Sequence, residues 1–151
     1  MHEKFMEEAL KEAEKAYKAD EVPIGCVIVC DQRIIARSHN SKIKEENSLN
    51  HAELKAIIKA QKVKKSKYLY DCSLYVTIEP CAMCAGAMIN SRIGKLIFGA
   101  REPKTGCCVS VYPLLEENKF NHKVEIIEGI KREECIALMQ NFFREKRKNK
   151  C

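Results

Sequence analysis

No stretch of this 151-residue sequence comes near the ~18 consecutive apolar residues that a membrane-spanning helix needs, so no membrane partner is expected. The first residues, Met1 to Lys18, alternate charge with apolar side chains at helical spacing. They lack the uninterrupted apolar core of a secretory signal. Internal repeats, low-complexity linkers and breaks in composition are also missing, so one domain over residues 1–151 is expected. An even complement of cysteines is missing too. Nine are scattered from Cys26 to Cys151. An odd number argues against a closed disulfide framework. Without a secretory signal, these read as free or metal-bound thiols of a reducing cytoplasm.

What is present is an ordinary globular balance, 46% hydrophobic and 32% charged, which is enough for a real core. The formal net charge is +6. Basic residues gather in Lys62–Lys67 and in Phe142–Lys150. Each run could be a solvated face or could attract an anionic partner such as nucleic acid. The second ends an amphipathic helix and carries two phenylalanines, a combination suited to stacking on bases and holding phosphates.

The apolar spacing predicts a helix over 4–18, with Phe5, Ala9, Leu10, Ala13, Ala16 and Tyr17 on one face. A buried strand over 22–30, a turn at Asp31-Gln32 and a second strand over 33–40 make a hairpin. A polar loop over 41–50 leads into a helix opening at about His51. Residues 72–78 read as a strand. A helix of small residues opens at Pro80 or Cys81, where proline suits the first turn, and runs to Asn90. A strand over 95–100, a loop over 101–108, a turn in 117–122, a strand over 124–127 and a last helix over 131–147 complete the chain. Alternating strands and helices predict an α/β fold, a mixed sheet with helices on both faces.

The chemistry starts from Cys81 and Cys84. A lone C-x-x-C is a redox pair, half of a zinc site or two buried thiols. His51 and Glu53 enlarge the choice. His51 opens one predicted helix and the cysteines open another. Side chains at i and i+3 share a helix face, so both sulfurs can address one point. Helix N-termini are electropositive and favour thiolate. One imidazole and two thiolates give three ligands to tetrahedral zinc and leave the fourth position for water, the pattern of a catalytic site. Glu53 is placed to move the water's proton. The implied reaction is hydroxide attack on an electron-poor aromatic carbon with loss of ammonia. H-x-E followed by P-C-x-x-C is the recognised signature of zinc nucleobase deaminases.

Beyond this core the sequence resembles the bacterial tRNA-specific adenosine deaminases, of the cytidine/deoxycytidylate deaminase superfamily. The likeness runs through "EVPIGCVIV", His39-Asn40, "HAE", "LYVTIEPCAMCAGAMINSRI", "FGAREPKTG", "FNHKVEI" and "FFREKR". It implies a cytidine-deaminase-like three-layer α/β/α sandwich with a five-stranded mixed sheet, and a cytoplasmic homodimer with one Zn2+ per subunit. It implies conversion of adenosine to inosine at the wobble position, A34, in the anticodon stem-loop of an arginine tRNA, by zinc-hydroxide attack on C6. His51, Cys81 and Cys84 fall on the zinc ligands, Glu53 on the proton shuttle and Asn40 on the asparagine that holds the flipped base. Glu102, Lys104, His122, Phe143 and Arg147 fall on substrate contacts. Glu102 stands where an aspartate is expected in the family. Phe142 and Phe143 are adjacent and point to different faces, so at least one belongs to the core.

Three rivals share parts of these signals. A deaminase of a free base or nucleoside would use the same zinc core, but leaves "REPKTG" and the basic last helix without a use. A zinc-stabilised RNA-binding module would not need Glu53. A thiol redox protein would not need His51 or Glu53.

Overall fold

The structure, a computed structural model, describes residues 1–116 and 119–149. Lys150, the end of the basic C-terminal run, and residues 117 and 118 of the expected turn lie outside the described residues. The elements follow in the order α1 (His2–Lys18), β1 (Gly25–Cys30), β2 (Arg33–His39), α2 (Ala52–Lys64), β3 (Cys72–Ile78), α3 (Ala82–Ser91), β4 (Lys95–Ala100), a 3-10 turn (Leu114–Glu116), β5 (Glu125–Glu128) and α4 (Arg132–Lys148).

The five strands form one sheet in the order β2-β1-β3-β4-β5. β1 pairs antiparallel with β2 and β3, while β3, β4 and β5 run parallel. The mixed sheet expected from the sequence is therefore present. Parallel strands need a crossover, which α3 supplies between β3 and β4, while a loop with the 3-10 turn joins β4 to β5 and α4 follows β5.

Side-chain alternation sorts the helices onto two faces. Cys26, Ile28, Leu74, Val76, Leu96 and Phe98 pack against α2 and α3. Their neighbours Val27, Val29, Tyr75 and Ile97 pack against α1 and α4. Central strands buried on both sides read as nearly continuous apolar runs, as "CVIV" and "LYV" do here. Contact with α1 is close at Gly25, where an added Cβ would lie 2.0 Å from the Ala9 carbonyl oxygen. Only glycine lets the helix approach β1 that closely.

β3 positions the chemistry. Its Cys72 end meets the C-terminal end of α2. Its Ile78 end leads through Glu79 and Pro80 to Cys81, at the head of α3. These two ends stand about 20 Å apart at the usual rise per strand residue.

Candidate active site

His51 is the N-cap of α2 and Cys81 the N-cap of α3. Both have extended backbones, with ψ of 148° and 179°, and neither side chain caps its own helix. Cap side chains usually turn back to the first N–H groups. These turn toward each other instead. Pro80 therefore precedes the cap and lies two positions before the first helical residue, outside the first turn expected for it. Its carbonyl accepts the Cys107 N–H at 2.9 Å, which ties the head of α3 to the following loop.

His51 Nδ1 lies 3.6 Å from both Cys81 Sγ and Cys84 Sγ. Zinc bonds of ~2.3 Å to sulfur and ~2.0 Å to nitrogen, at tetrahedral angles, separate S and N by about 3.6 Å. Donor set and spacing both fit zinc. The two sulfurs shift in opposite directions. Hydrogen bonding from Cys84, aided by His51 against the cost of burial, pulls the Cys81 thiol down to about 3. The same bond, with burial, pushes Cys84 far up. One thiolate forms readily, and the second needs a cation to offset its charge.

Glu53 follows one residue into α2 and is buried. Its carboxylate lies close to the Cys84 side chain. Burial pushes its carboxyl up to about 7, against its backbone hydrogen bond and the nearby His51. A group in that range can both accept and return a proton near neutrality.

Asn40 is buried where the chain leaves β2. Its Oδ1 accepts the Ala52 N–H at 2.9 Å, the first backbone donor of α2. The carbonyl end of Asn40 is committed to the helix that carries His51 and Glu53.

The structure brings four of the remaining expected contacts together. Glu102 and Lys104, on the loop after β4, line one groove with Phe143 and Arg147 of α4. Phe142 is buried against Tyr17, with ring centroids 5.6 Å apart, while Phe143 is exposed. His122 is not brought to this site. Its Nε2 lies 2.6 Å from the Ile93 carbonyl oxygen, and its ring meets Tyr70 edge-on at 5.7 Å. That places it near the Cys72 end of β3, the far end of the sheet from Cys81.

Sequence reasoning passed over Glu79. This buried carboxylate receives the backbone N–H groups of Glu102 at 3.0 Å, Cys108 at 3.1 Å, Val109 at 2.7 Å and Ser110 at 2.9 Å, and the Ser110 hydroxyl. Burial alone would raise its carboxyl, but these donors outweigh it and hold the carboxyl below its usual range. Gly106 makes room, since an added Cβ would sit 2.4 Å from the carboxylate carbon. The loop that carries Glu102 and Lys104 is thus wound around a residue two positions before a sulfur ligand. The only hint in the sequence was an acid in "TIEPC" at the end of a mostly apolar, buried strand.

The sequence and its fold have known counterparts. The MafB19-like deaminase family model matches residues 1–147. The tRNA-specific adenosine deaminase of Bacillus subtilis (strain 168) is 48% identical over 148 residues, 98% of this chain and 92% of that protein. That of Aquifex aeolicus (strain VF5) is 43% identical and covers 97% of both chains. A structure from a study of A-to-I editing by tRNA:A34 deaminases at the wobble position superposes with a TM-score of 0.86 at 38% identity, covering 89% of this chain and 98% of that one. A guanine deaminase from Nitrosomonas europaea, 22% identical with a TM-score of 0.80 over 93% of this chain and 83% of that one, shares the fold. By motif, site geometry and likeness over almost its full length, the chain belongs to the MafB19-like deaminase family and, within it, to the tRNA-specific adenosine deaminases, which are hydrolytic enzymes.

Proposed function

We propose that this enzyme converts adenosine to inosine at A34 of a tRNA anticodon, with an arginine tRNA as substrate. One observation carries the reading: two helix N-termini aim an imidazole and two sulfurs at one point, with a buried carboxylate against them. His51, Cys81 and Cys84 would hold one zinc ion per subunit, which supplies a water acidic enough to react near neutral pH.

The chain's own groups do the rest. Glu53 takes a proton from the attacking water and delivers it to N1 of the adenine ring as the water's oxygen bonds to C6. The remaining hydroxyl proton passes through Glu53 to the amino group, and the C6–N bond breaks. Adenosine and water give inosine and ammonia. The Asn40 NH2 donates to the purine edge, held in orientation by its carbonyl bond to α2. An anticodon loop is already single-stranded, so extruding the base is cheap. The groove between the 101–105 loop and α4 takes the flanking strand. Phe143 stacks on a base, Lys104 and Arg147 meet phosphates, and Glu102 meets a ribose hydroxyl.

The enzyme works as one deaminase domain, in a cytoplasmic homodimer whose mass sedimentation would report. The decisive assay incubates the protein with an arginine tRNA carrying adenine at position 34, and sequences the product beside the Glu53→Ala variant. Inosine at that position, absent with the variant, is expected. No inosine from metal-loaded enzyme, with ammonia released from a free base or nucleoside, would replace the tRNA reading.

A further inference from the structure

A second sulfur cluster lies at the other end of β3. Strand register creates it: Cys30 faces Cys72 across the β1–β3 ladder, and Asp71 comes just before. Cys30 Sγ is 3.2 Å from Asp71 Oδ2, and Cys72 Sγ is 3.7 Å from Asp71 Oδ1. Donor atoms of the three residues all lie within 4.8 Å of one another. Among the described residues, His51–Cys81–Cys84 is the other such trio.

The spacing suits a tetrahedral ion. Bonds of ~2.3 Å to sulfur and ~2.0 Å to oxygen separate S and O by about 3.5 Å, and each sulfur stands near that distance from one oxygen of the Asp71 carboxylate. Access is also present. Cys72 is buried, Cys30 is half-buried, and the Asp71 side chain is 61% exposed. A cation already sits here: Lys64 Nζ hydrogen-bonds Asp71 and lies 3.3 Å from Cys30 Sγ. Two thiolates and a carboxylate carry three negative charges. A divalent ion leaves one, which the Lys64 ammonium neutralises from the outer shell. Two sulfur donors in three select a soft metal over magnesium or calcium.

We propose that Cys30, Asp71 and Cys72 form a second site, for a thiophilic divalent cation such as Zn2+ or Cd2+, with Lys64 as its counter-ion. The active site takes no part in it.

The test titrates reduced, full-length protein with Cd2+ under nitrogen, following sulfur-to-metal charge-transfer absorbance and the metal retained after gel filtration. Wild type is expected to hold one equivalent more than Cys30→Ser. Asp71→Asn, an exposed change, is expected to weaken that equivalent without altering circular dichroism. Cd2+ is also expected to slow iodoacetamide labelling of Cys30 in wild type. Because the readout is a difference between variants, it stands whether or not the His51 cluster binds metal. Equal stoichiometry in wild type and Cys30→Ser, or Cys30 labelling unaffected by Cd2+, would overturn the proposal.

Discussion

The two ends of β3 both carry cysteines, yet they are built differently. At the Ile78 end, three donors come from two helix N-termini, and a buried carboxylate adjoins them. The electropositive helix ends favour thiolate before any metal arrives. At the Cys72 end, the donors come from a strand pair and its preceding residue, with a lysine from the end of α2 beside them. The first end is the more buried, with His51 and Cys81 half-buried and Cys84 and Glu53 buried. The second is half-open at the exposed Asp71 and has Lys64 beside it. The two trios differ in the helix ends and the buried carboxylate of the first, more than in their sulfurs.

Breaking the first end should cost the most. Cys84→Ser is expected to lose the His51-site metal and all turnover. A ligand at ~1,000 times its dissociation constant adds about 4 kcal/mol, so Tm should fall by roughly 8–16 °C, read by calorimetry with metal analysis. Cys30→Ser, at the half-open end, should cost under about 1 kcal/mol.

Glu53→Gln separates chemistry from binding. We expect turnover to fall by about 10²–10⁴-fold, with metal content and Tm near wild type. A matching loss of metal would show that Glu53 acts through the ligands.

Glu79→Ala tests what the second end lacks, a buried anion that organises a loop. Leaving four N–H donors, one buried and three part-buried, without their acceptor should cost about 3 kcal/mol and raise KM for tRNA as the 102–110 loop loosens. Hydrogen exchange at Cys108, Val109 and Ser110 would show the opening directly.

The smallest effect lies away from both ends. Glu12, buried on α1, accepts from Lys15 at 2.7 Å and pairs with His39 at 3.1 Å. Burial raises its carboxyl, but these partners outweigh it and leave it below its usual value. A depressed carboxyl contributes stability above its unfolded pKa of about 4.3, and loses it as pH falls through the lower folded value. Glu12→Gln should therefore flatten the acid limb of a pH–Tm profile, by about 1 kcal/mol or less because Lys15 is exposed.

Strand and helix identity was legible because β1, β3 and β4 are continuous apolar runs and α1 repeats with helical period. The helix starts at His51 and Cys81 were legible to within a residue, and with them the meeting of His51, Cys81 and Cys84, because a local i, i+3 pair and an H-x-E pattern are encoded in adjacent residues. Phe142 and Phe143 divided as adjacency requires, one buried and one exposed. What stayed hidden depends on contacts between distant segments. Glu79 gains its partners from residues 23–31 positions later, in a loop without periodicity. His122 is held by Ile93, and no local pattern carries that bond. Cys30 meets Cys72 through the register of two strands 42 positions apart, which composition alone leaves open.

The winding of residues 102–110 around Glu79 resembles a plug in a socket, and this bears on how such an enzyme can be retargeted. The seated parts are the backbone donors of residues 102 and 108–110 and the small Gly106. Residues 103–105 are exposed and outside that seat. A graft that exchanges only 103–105 should alter which strand is accepted and leave Cys81 undisturbed. A graft that replaces Gly106 should unseat the loop and shift the neighbouring sulfur with it. Three exposed residues are thus free of the Glu79 seat, while those on either side are tied through it to the strand end that leads to Cys81.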